Sequence, residues 1–240
     1  MHDFGKIIYL DVGKTGSSYV SRFLRHNLLL DEKAFSKHAR LGDDYRPKDF
    51  YFISTRDPLR QYISLFKYGL DGKGHVYGAF KRVGLGHLYE KHSVPAFERW
   101  LEFMLRPSRA KVLREDYYKT QPQLYGFQTF RFLALSLQHP IKKLGVKHTK
   151  SSLVSLYNKN KVHSLVIRTE TLNEDLEKLL ESPVGKYFRS STEVRGYLAS
   201  AGKLNQSQTN SDIPVKSISP ALIELVKARE WFLYENICGK

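Results

Sequence analysis

The chain contains one cysteine, Cys238, and no long uninterrupted run of apolar residues. A single cysteine excludes a disulfide framework and is typical of proteins from a reducing compartment. A membrane-crossing helix needs about 20 predominantly apolar residues, so no transmembrane segment is expected. The chain enters a strand-like segment almost at once, with no leader-like apolar region before it. These absences predict a soluble, cytoplasmic protein.

Acidic residues are few compared with basic ones. There are 39 Lys and Arg residues against 24 Asp and Glu residues, a formal net charge of +15. Such a charge attracts anionic partners: nucleic acid, an anionic glycan, a phosphorylated cofactor or a membrane surface. The alternative is a solvated basic surface that only keeps the protein soluble. A length of 240 residues with 41% hydrophobic residues is enough for one large α/β domain with a proper core.

Three short apolar runs predict buried strands: KIIYLD (6–11), FYFIST (50–55) and HSLVIRTE (163–170). A helical pattern follows each of them. Ser17 or Ser18 is expected to cap the first helix, and Asp57 the second, with Pro58 in its first turn. Alternating strands and helices indicate a parallel sheet covered by helices. We therefore predict a single α/β domain over 1–240, with a central parallel sheet flanked by helices.

Three further helices and three irregular segments are expected from the sequence. The helices are PAFERWLEFMLR, PQLYGFQTFRFLALS and SPALIELVKAREWFLYENI, the last with Ser219 as its cap; the irregular segments are 71–95, 138–161 and 202–219. The first irregular segment, rich in Gly and His, is predicted to form a lid or acceptor loop. Tyr77, Phe80 and Tyr89 are predicted to be exposed on it and to stack on sugar faces.

The stretch DVGKTGSSYV, residues 11–20, lies between the first strand and the first helix. A nucleotide-binding P-loop needs G-x-x-x-x-G-K-[ST], and its first glycine would fall where this chain has Ile8 and Tyr9. The physical ingredients of a phosphate site are present nevertheless: a helix N-terminus, a lysine charge, two glycines and three hydroxyls. These predicted phosphate-binding residues are Gly13, Lys14, Thr15, Gly16, Ser17 and Ser18. The alternative is an ordinary capped turn.

A second polar element, TRDPLRQYIS, follows the second strand. Arg56 lies at the strand end, and Ser64 lies about two turns along the next helix. Helical spacing cannot bring this pair together, but a bound phosphate is able to bridge an arginine and a hydroxyl. Arg60 serves either that phosphate or an ion pair with Asp57.

Together these two elements resemble the sulfotransferases that use 3′-phosphoadenosine 5′-phosphosulfate (PAPS). YGFQTFRFLA, VIRTETLNEDLEKL and KLNQS look like the glycan-type branch of that family. The resemblance implies a P-loop-NTPase-like fold, with the lysine loop on the 5′-phosphosulfate and with Arg56 and Ser64 on the 3′-phosphate. It also implies that segment 202–219 covers the nucleotide, with Lys203 as a phosphate contact. The implied acceptor is a hydroxyl on a saccharide or glycoconjugate, which the basic charge allows to be anionic.

Sulfuryl transfer needs charge stabilisation at the leaving phosphate and a base for the acceptor hydroxyl. Lys14 is predicted to stabilise the charge. The resemblance points to His38, in FSKHARLGD, as the base. Alternative bases are Glu32 and the histidines of segment 71–95, which are His75, His87 and His92. The spacing of these three histidines does not indicate a metal site.

Two other functions compete with sulfuryl transfer. A P-loop kinase is disfavoured by the missing first glycine and by the lack of a suitable strand ending in a magnesium-binding aspartate. A nucleic-acid-binding protein is suggested by the charge alone, and no recognisable nucleic-acid motif supports it. We therefore expect PAPS as the cofactor, no nucleic-acid partner and no metal.

Overall fold

A computed structural model describes residues 1–200 and 213–239. The described chain groups into two compact units. The first contains residues 1–56, 132–140 and 157–200, and the second contains 57–131, 141–156 and 213–239. The prediction of a single domain over 1–240 is not decided by this grouping and stays a prediction. Lys203 and most of segment 202–219 lie outside the described residues.

The architecture is α/β, with a five-stranded mixed sheet in the first unit. Its strands, in the spatial order β3-β1-β2-β4-β5, are His2–Asp3 (β1), Ile7–Leu10 (β2), Ala34–Phe35 (β3), Phe50–Thr55 (β4) and Leu165–Arg168 (β5). β2, β4 and β5 are parallel, which confirms the three predicted strands. β1 pairs antiparallel with both β2 and β3, so the sheet is not wholly parallel as predicted. Strands of two residues are too short to show a periodicity, and the sequence analysis missed both.

Twelve α-helices lie in the described residues. They are Ser17–Asn27 (α1), Pro58–Leu70 (α2), His75–Arg82 (α3), Val94–Leu105 (α4), Ala110–Leu113 (α5), Phe127–Ser136 (α6), Pro140–Leu144 (α7), Lys150–Asn160 (α8), Leu172–Glu181 (α9), Ser191–Ser200 (α10), Pro220–Arg229 (α11) and Trp231–Leu233 (α12). Short 3₁₀ turns occur at Gly86–Tyr89, Pro107–Arg109, Tyr117–Lys119, Thr169–Thr171, Gly185–Tyr187 and Val215–Ser217, and a π-turn covers Tyr234–Cys238. α2, α4, α6, α9 and α11 confirm predicted helices, and Asp57 caps α2 by accepting from the N–H of Arg60 at 2.8 Å.

One face of the sheet in the first unit is covered by α1, α9 and α10. Alternate strand residues point to that face because side chains of a strand alternate between its two sides. The core they form contains Ile7, Tyr9, Phe52, Ile167, Val20, Phe23, Leu24, Leu176, Leu179, Val194 and Leu198. Burying each of the larger apolar side chains contributes roughly 1.5–3 kcal/mol. This packing fixes β2 and α1, and with them the loop that joins the two elements.

The second unit has an aromatic core around Trp100, and segment 71–95 belongs to it. The prediction that this segment is irregular is wrong, because it contains α3 and a 3₁₀ turn; its role as a lid or acceptor loop stays a prediction. Phe80 and Tyr89, predicted to be exposed, are buried, since their rings pack with Trp100 and each other. Gly69 permits this packing: a Cβ there would lie 2.1 Å from a Tyr89 ring carbon.

Segment 138–161 is also more regular than predicted, since it contains α7 and α8. Thr149 and Ser152 form a reciprocal cap at the start of α8. The N–H of Thr149 donates to Oγ of Ser152 at 2.9 Å, and the N–H of Ser152 donates to Oγ1 of Thr149 at 3.2 Å. The prediction failed because the segment is rich in basic and polar residues, so its two short helices show no clear hydrophobic pattern.

A wholly buried carboxylate, Glu230, organises the end of α11 in the second unit. It accepts hydrogen bonds from the Tyr62 hydroxyl at 2.5 Å and from the N–H groups of Gln128 and Thr129 at 3.2 and 2.8 Å. Burial raises the pKa of Glu230, although these donors act in the opposite direction. Gly126 is required here, because a Cβ would lie 2.1 Å from Oε1 of Glu230. The carboxylate therefore fastens the end of α11 to the N-terminal turn of α6.

Candidate active site

The loop of residues 11–16 leaves the carboxyl end of β2 and leads into α1. α1 begins at Ser17, and its N-cap is Gly16 in the left-handed conformation, with φ of +77°. The prediction that Ser17 or Ser18 caps α1 is therefore wrong, and no side chain caps this helix. The first turn of α1 also contains no acidic residue. A helix N-terminus without a side-chain cap and without an acidic residue in its first turn is electrostatically suited to an anion.

Lys14, the predicted charge-stabilising residue, also has a left-handed backbone, with φ of +68°. A non-glycine residue in this conformation costs roughly 1–3 kcal/mol, and such residues cluster at functional sites. Lys14 and its neighbours Gly13, Gly16 and Ser17 are half-buried, whereas Ser18 is exposed. The strained residue in the loop is thus the one whose charge the predicted chemistry requires.

Thr15 holds the loop in this conformation. Its side chain is fully buried, and its hydroxyl donates to the carbonyl of Val12 at 2.7 Å. The same hydroxyl contacts Oγ of Ser54 in β4 at 2.5 Å, and Ser54 contacts the Tyr9 hydroxyl at 2.6 Å. Burial raises the pKa of Tyr9, which therefore stays neutral. The Thr15 hydroxyl therefore anchors the loop to the sheet, and the predicted role of Thr15 in phosphate binding stays a prediction.

We expect Thr15→Val to lower the free energy of unfolding by about 1–3 kcal/mol, because it leaves buried hydrogen-bonding groups unpaired. Urea unfolding followed by circular dichroism measures this change. Ser18→Ala is the matched control, and its exposed side chain predicts a change of no more than about 0.5 kcal/mol. Equal stabilities for Thr15→Val and the wild type would contradict the anchoring role.

His38, the predicted base, lies beside the same loop through a contact with Asp11. Asp11 directly follows β2 and is buried, with only 2% of its surface exposed. The N–H of His38 donates to Oδ1 of Asp11 at 3.0 Å, and Nδ1 of the ring lies 3.3 Å from Oδ2. Nδ1 also contacts the backbone carbonyl of Asp11. Because Nδ1 faces only oxygen acceptors, it carries the proton, and Nε2 is the nitrogen that accepts one.

The Asp11 carboxylate is ionised in this arrangement. Burial by itself would raise its pKa, but the hydrogen bond from His38 and the positive charge of the Met1 amino group outweigh burial and lower the pKa. His38 has φ of +54°, a second strained non-glycine residue in the site, and its side chain is 39% exposed. A buried carboxylate thus orients an accessible imidazole, as in the aspartate–histidine pair of many hydrolases. Asp11 is not among the site residues predicted from the sequence; its position directly after a strand is the signal that the sequence offers.

The alternative base Glu32 is engaged elsewhere. Its carboxylate contacts Nδ1 of His2 at 2.5 Å and accepts from Nε of Arg25 at 2.8 Å. Burial favours a higher pKa for Glu32, but these two partners outweigh it and lower the pKa. A carboxylate with a lowered pKa is a weak base, so the geometry favours His38 over Glu32.

The remaining predicted residues lie in different parts of the chain. Arg56 directly follows β4 in the first unit, whereas Ser64 lies within α2 in the second unit. Their joint binding of a 3′-phosphate stays a prediction. His75, His87 and His92 also belong to the second unit. His75 opens α3, and His87 lies in the 3₁₀ turn after α3.

The end of β5 closes the other side of the loop. A Cβ on Gly16 would lie 3.5 Å from a methyl carbon of Leu172 and 3.9 Å from Thr169. The Thr169 hydroxyl donates to the carbonyl of Thr55 at 2.9 Å, which ties the ends of β4 and β5 together. The carboxyl ends of parallel strands are the usual place for ligands in α/β sheets. The loop, Asp11 and the β5–α9 connection therefore meet at the expected edge.

Neither family models, nor curated proteins, nor solved structures match this chain. None of the helices in the described part of the chain has the length and apolar character needed to cross a membrane. Within residues 1–200 and 213–239, no group of three or more His, Cys, Asp or Glu side chains is arranged to hold a metal ion.

Asp175 stabilises the β5–α9 connection through a dense set of donors. Its carboxylate accepts from the N–H of Arg168 at 2.8 Å, from the Thr171 hydroxyl at 2.9 Å and from Nζ of Lys178 at 2.6 Å. Burial acts to raise the pKa of Asp175, but these donors dominate and bring the pKa down to about 2. The folded state therefore gains stability above the unfolded pKa, and this gain disappears as the pH falls through the folded pKa.

We expect the stability difference between the wild type and Asp175→Asn to shrink by roughly 2 kcal/mol as the pH falls from about 4 to about 2. Urea unfolding at a series of pH values measures it. Asp31→Asn, at an exposed position, is the control for the change from a carboxylate to an amide. A constant difference across this pH range would contradict the assigned ionisation.

Proposed function

We propose that the chain is a PAPS-dependent sulfotransferase that acts on a hydroxyl, most suitably of a saccharide or glycoconjugate. One observation carries the proposal: a strained lysine loop before an uncapped helix N-terminus lies beside a buried aspartate that orients a histidine. The first feature suits a phosphosulfate, and the second suits the removal of a proton from a hydroxyl. The three parallel strands and the loop after β2 agree with a P-loop-like sulfotransferase fold.

The residues of the loop fit an anionic nucleotide. The N-terminal amides of α1 have no side-chain cap, and Lys14 adds a positive charge. In the proposed complex Gly13, Lys14, Gly16, Ser17 and Ser18 hold the 5′-phosphosulfate. The predicted partners of the 3′-phosphate and of the adenosine, Arg56, Ser64 and Lys203, belong to the same proposal.

PAPS, when bound, supplies the sulfuryl group, which passes to the acceptor oxygen as the bond from sulfur to the phosphate oxygen breaks. Nε2 of His38 takes the proton from the acceptor hydroxyl, and Asp11 holds Nδ1 so that the ring accepts at Nε2. Lys14 and the α1 amides offset the negative charge that develops on the phosphate oxygen. Positioning and charge stabilisation thus account for most of the rate, as in phosphoryl transfer.

A thermal-shift experiment tests the proposal against its competitors. 3′-Phosphoadenosine 5′-phosphate should stabilise the protein strongly, because a ligand at a hundred times its Kd adds about 2.7 kcal/mol to a fold that binds it. ATP with Mg²⁺ and a short oligonucleotide serve as parallel ligands. A shift with ATP·Mg²⁺ alone would indicate a kinase, a shift with the oligonucleotide alone would indicate a nucleic-acid-binding protein, and both results would contradict the proposal.

A further inference from the structure

A second polar site lies on the second unit, around the C-terminal half of α4. A cavity of about 260 Å³ opens between α4, the 3₁₀ turn Gly86–Tyr89 and the 3₁₀ turn Pro107–Arg109. Its volume lies near the lower end of the range for small-molecule sites. Three arginines, one glutamate and one histidine line it, together with three apolar side chains: Arg99, Arg106, Arg109, Glu102, His87, Leu85, Leu88 and Phe103.

The arginines give the cavity an excess of positive charge. Arg99, Glu102 and Arg106 recur at positions i, i+3 and i+7 of α4 and its C-cap, and therefore share one face. Glu102 offsets only part of this charge, since its contact with Arg106 is long at 4.0 Å and both side chains are more than half exposed. Within the described residues, Arg99 and Arg109 make no ion pair with a carboxylate. The partial negative charge at the C-terminal end of α4 attracts Arg106. This attraction does not account for the position of Arg99, which lies in the middle of the helix.

Arg109 is held in place before any ligand arrives. Its guanidinium lies over the ring of Phe103, 5.1 Å from the ring centroid. That ring in turn packs edge-to-face on buried Phe80, with centroids 4.9 Å apart. A stacked guanidinium keeps its N–H edge available for an oxyanion and loses less side-chain freedom on binding.

The arginines, the glutamate and the apolar side chains together indicate which kind of ligand fits the cavity. The arginines suit a sulfate or carboxylate, the Glu102 carboxylate suits a hydroxyl donor, and Leu85 and Leu88 suit a C–H surface. A ligand with an acidic substituent, hydroxyls and an apolar ring face is an acidic saccharide. A nucleic acid is less suited, because single strands bind in extended grooves with exposed aromatic rings, and here Arg109 covers the ring of Phe103. We propose that this pocket binds one acidic saccharide unit; the inference does not depend on the proposed sulfotransferase activity.

Side-chain NMR of the full chain tests this site. D-glucose 6-sulfate should shift the Nε–Hε resonances of Arg99, Arg106 and Arg109 in a saturable manner, and D-glucose should not. Arg99→Gln with Arg109→Gln should weaken binding at least about tenfold, and added NaCl should weaken it in the wild type. Arg82→Gln, exposed on α3 of the same unit, is the matched control and should bind as the wild type does. Thermal melting reports folding of each variant, and the two single variants replace the double one if it does not fold.

The inference would be overturned by equal binding of glucose and glucose 6-sulfate, by inorganic sulfate binding as tightly as glucose 6-sulfate, or by a double variant with wild-type affinity. Displacement of glucose 6-sulfate by a short single-stranded RNA that binds more tightly would also overturn it and would assign the pocket to nucleic acid. Because the proposed cofactor plays no part in this experiment, its outcome is separate from that of the sulfotransferase proposal.

Discussion

We expect His38→Ala to lower the turnover number for sulfuryl transfer at least about a hundredfold while the affinity for 3′-phosphoadenosine 5′-phosphate stays unchanged. The reason is geometric: Nδ1 of His38 is occupied by Asp11, so Nε2 is the nitrogen presented to an acceptor hydroxyl. Removal of the ring removes the proton acceptor and leaves the loop intact. Sulfur-35 transfer from labelled PAPS to a panel of saccharides measures turnover, and calorimetric titration measures affinity.

His26→Ala is the matched control for this variant, because His26 is an exposed histidine of the same unit, on α1. Asp11→Asn provides a second comparison, since an amide at this position is able to turn its NH₂ group toward Nδ1 and favour the wrong tautomer. It should lower turnover and shift the acidic limb of the pH profile, where the base becomes protonated, and a purely structural role for Asp11 would not shift it. Turnover near the wild-type level for His38→Ala would rule out His38 as the base.

The second large effect is expected at Lys14. Lys14→Ala should lower turnover about 100- to 1,000-fold, the usual loss when a group that stabilises developing charge is removed. The measurement is the same isotope transfer at saturating PAPS. Lys186→Ala, an exposed lysine of the same unit, is the control and should retain activity.

Lys14→Gly separates charge from folding at the same position. Glycine tolerates a positive φ, so the strain at Lys14 is relieved while the charge is lost. We expect a free energy of unfolding equal to or above that of the wild type, together with the low turnover of Lys14→Ala. An active Lys14→Gly variant would show that the lysine charge is not required.

The sequence predicted the parts of the fold where the hydrophobic pattern is strong. The runs at β2, β4 and β5 are short, apolar and followed by turn residues, and all three became parallel strands. Asp57 and Pro58 marked the start of α2 because a capping carboxylate and a proline at the first position are local signals. Such features depend on neighbours in the sequence, so one sequence is enough to find them.

The failures have a different physical origin. Segment 71–95 appeared irregular because of its glycines, but Phe80 and Tyr89 are ordered by rings that are distant in the sequence. The N-cap of α1 was assigned to serines, whereas the chain uses a left-handed glycine, which has no side-chain signal of its own. Tertiary contacts order the rings of segment 71–95, and local patterns do not contain such contacts.

The candidate site was also only partly accessible from sequence. Lys14 and His38 were chosen from motifs, and the structure brings the lysine loop and His38 to the same strand end through Asp11. The partnership of Asp11 with His38 spans 27 residues, and no spacing rule connects two such positions. The anchoring role of Thr15 likewise depends on Ser54 in the neighbouring strand.

The proposed function requires the loop between β2 and α1 to hold a nucleotide through the charge of Lys14. Isothermal titration of 3′-phosphoadenosine 5′-phosphate into the wild type and into Lys14→Gly tests this requirement. We expect saturable one-to-one binding by the wild type and an affinity at least about tenfold lower in the variant, a difference of about 1.4 kcal/mol. Absence of binding to the wild type, or equal affinities for the two proteins, would contradict it.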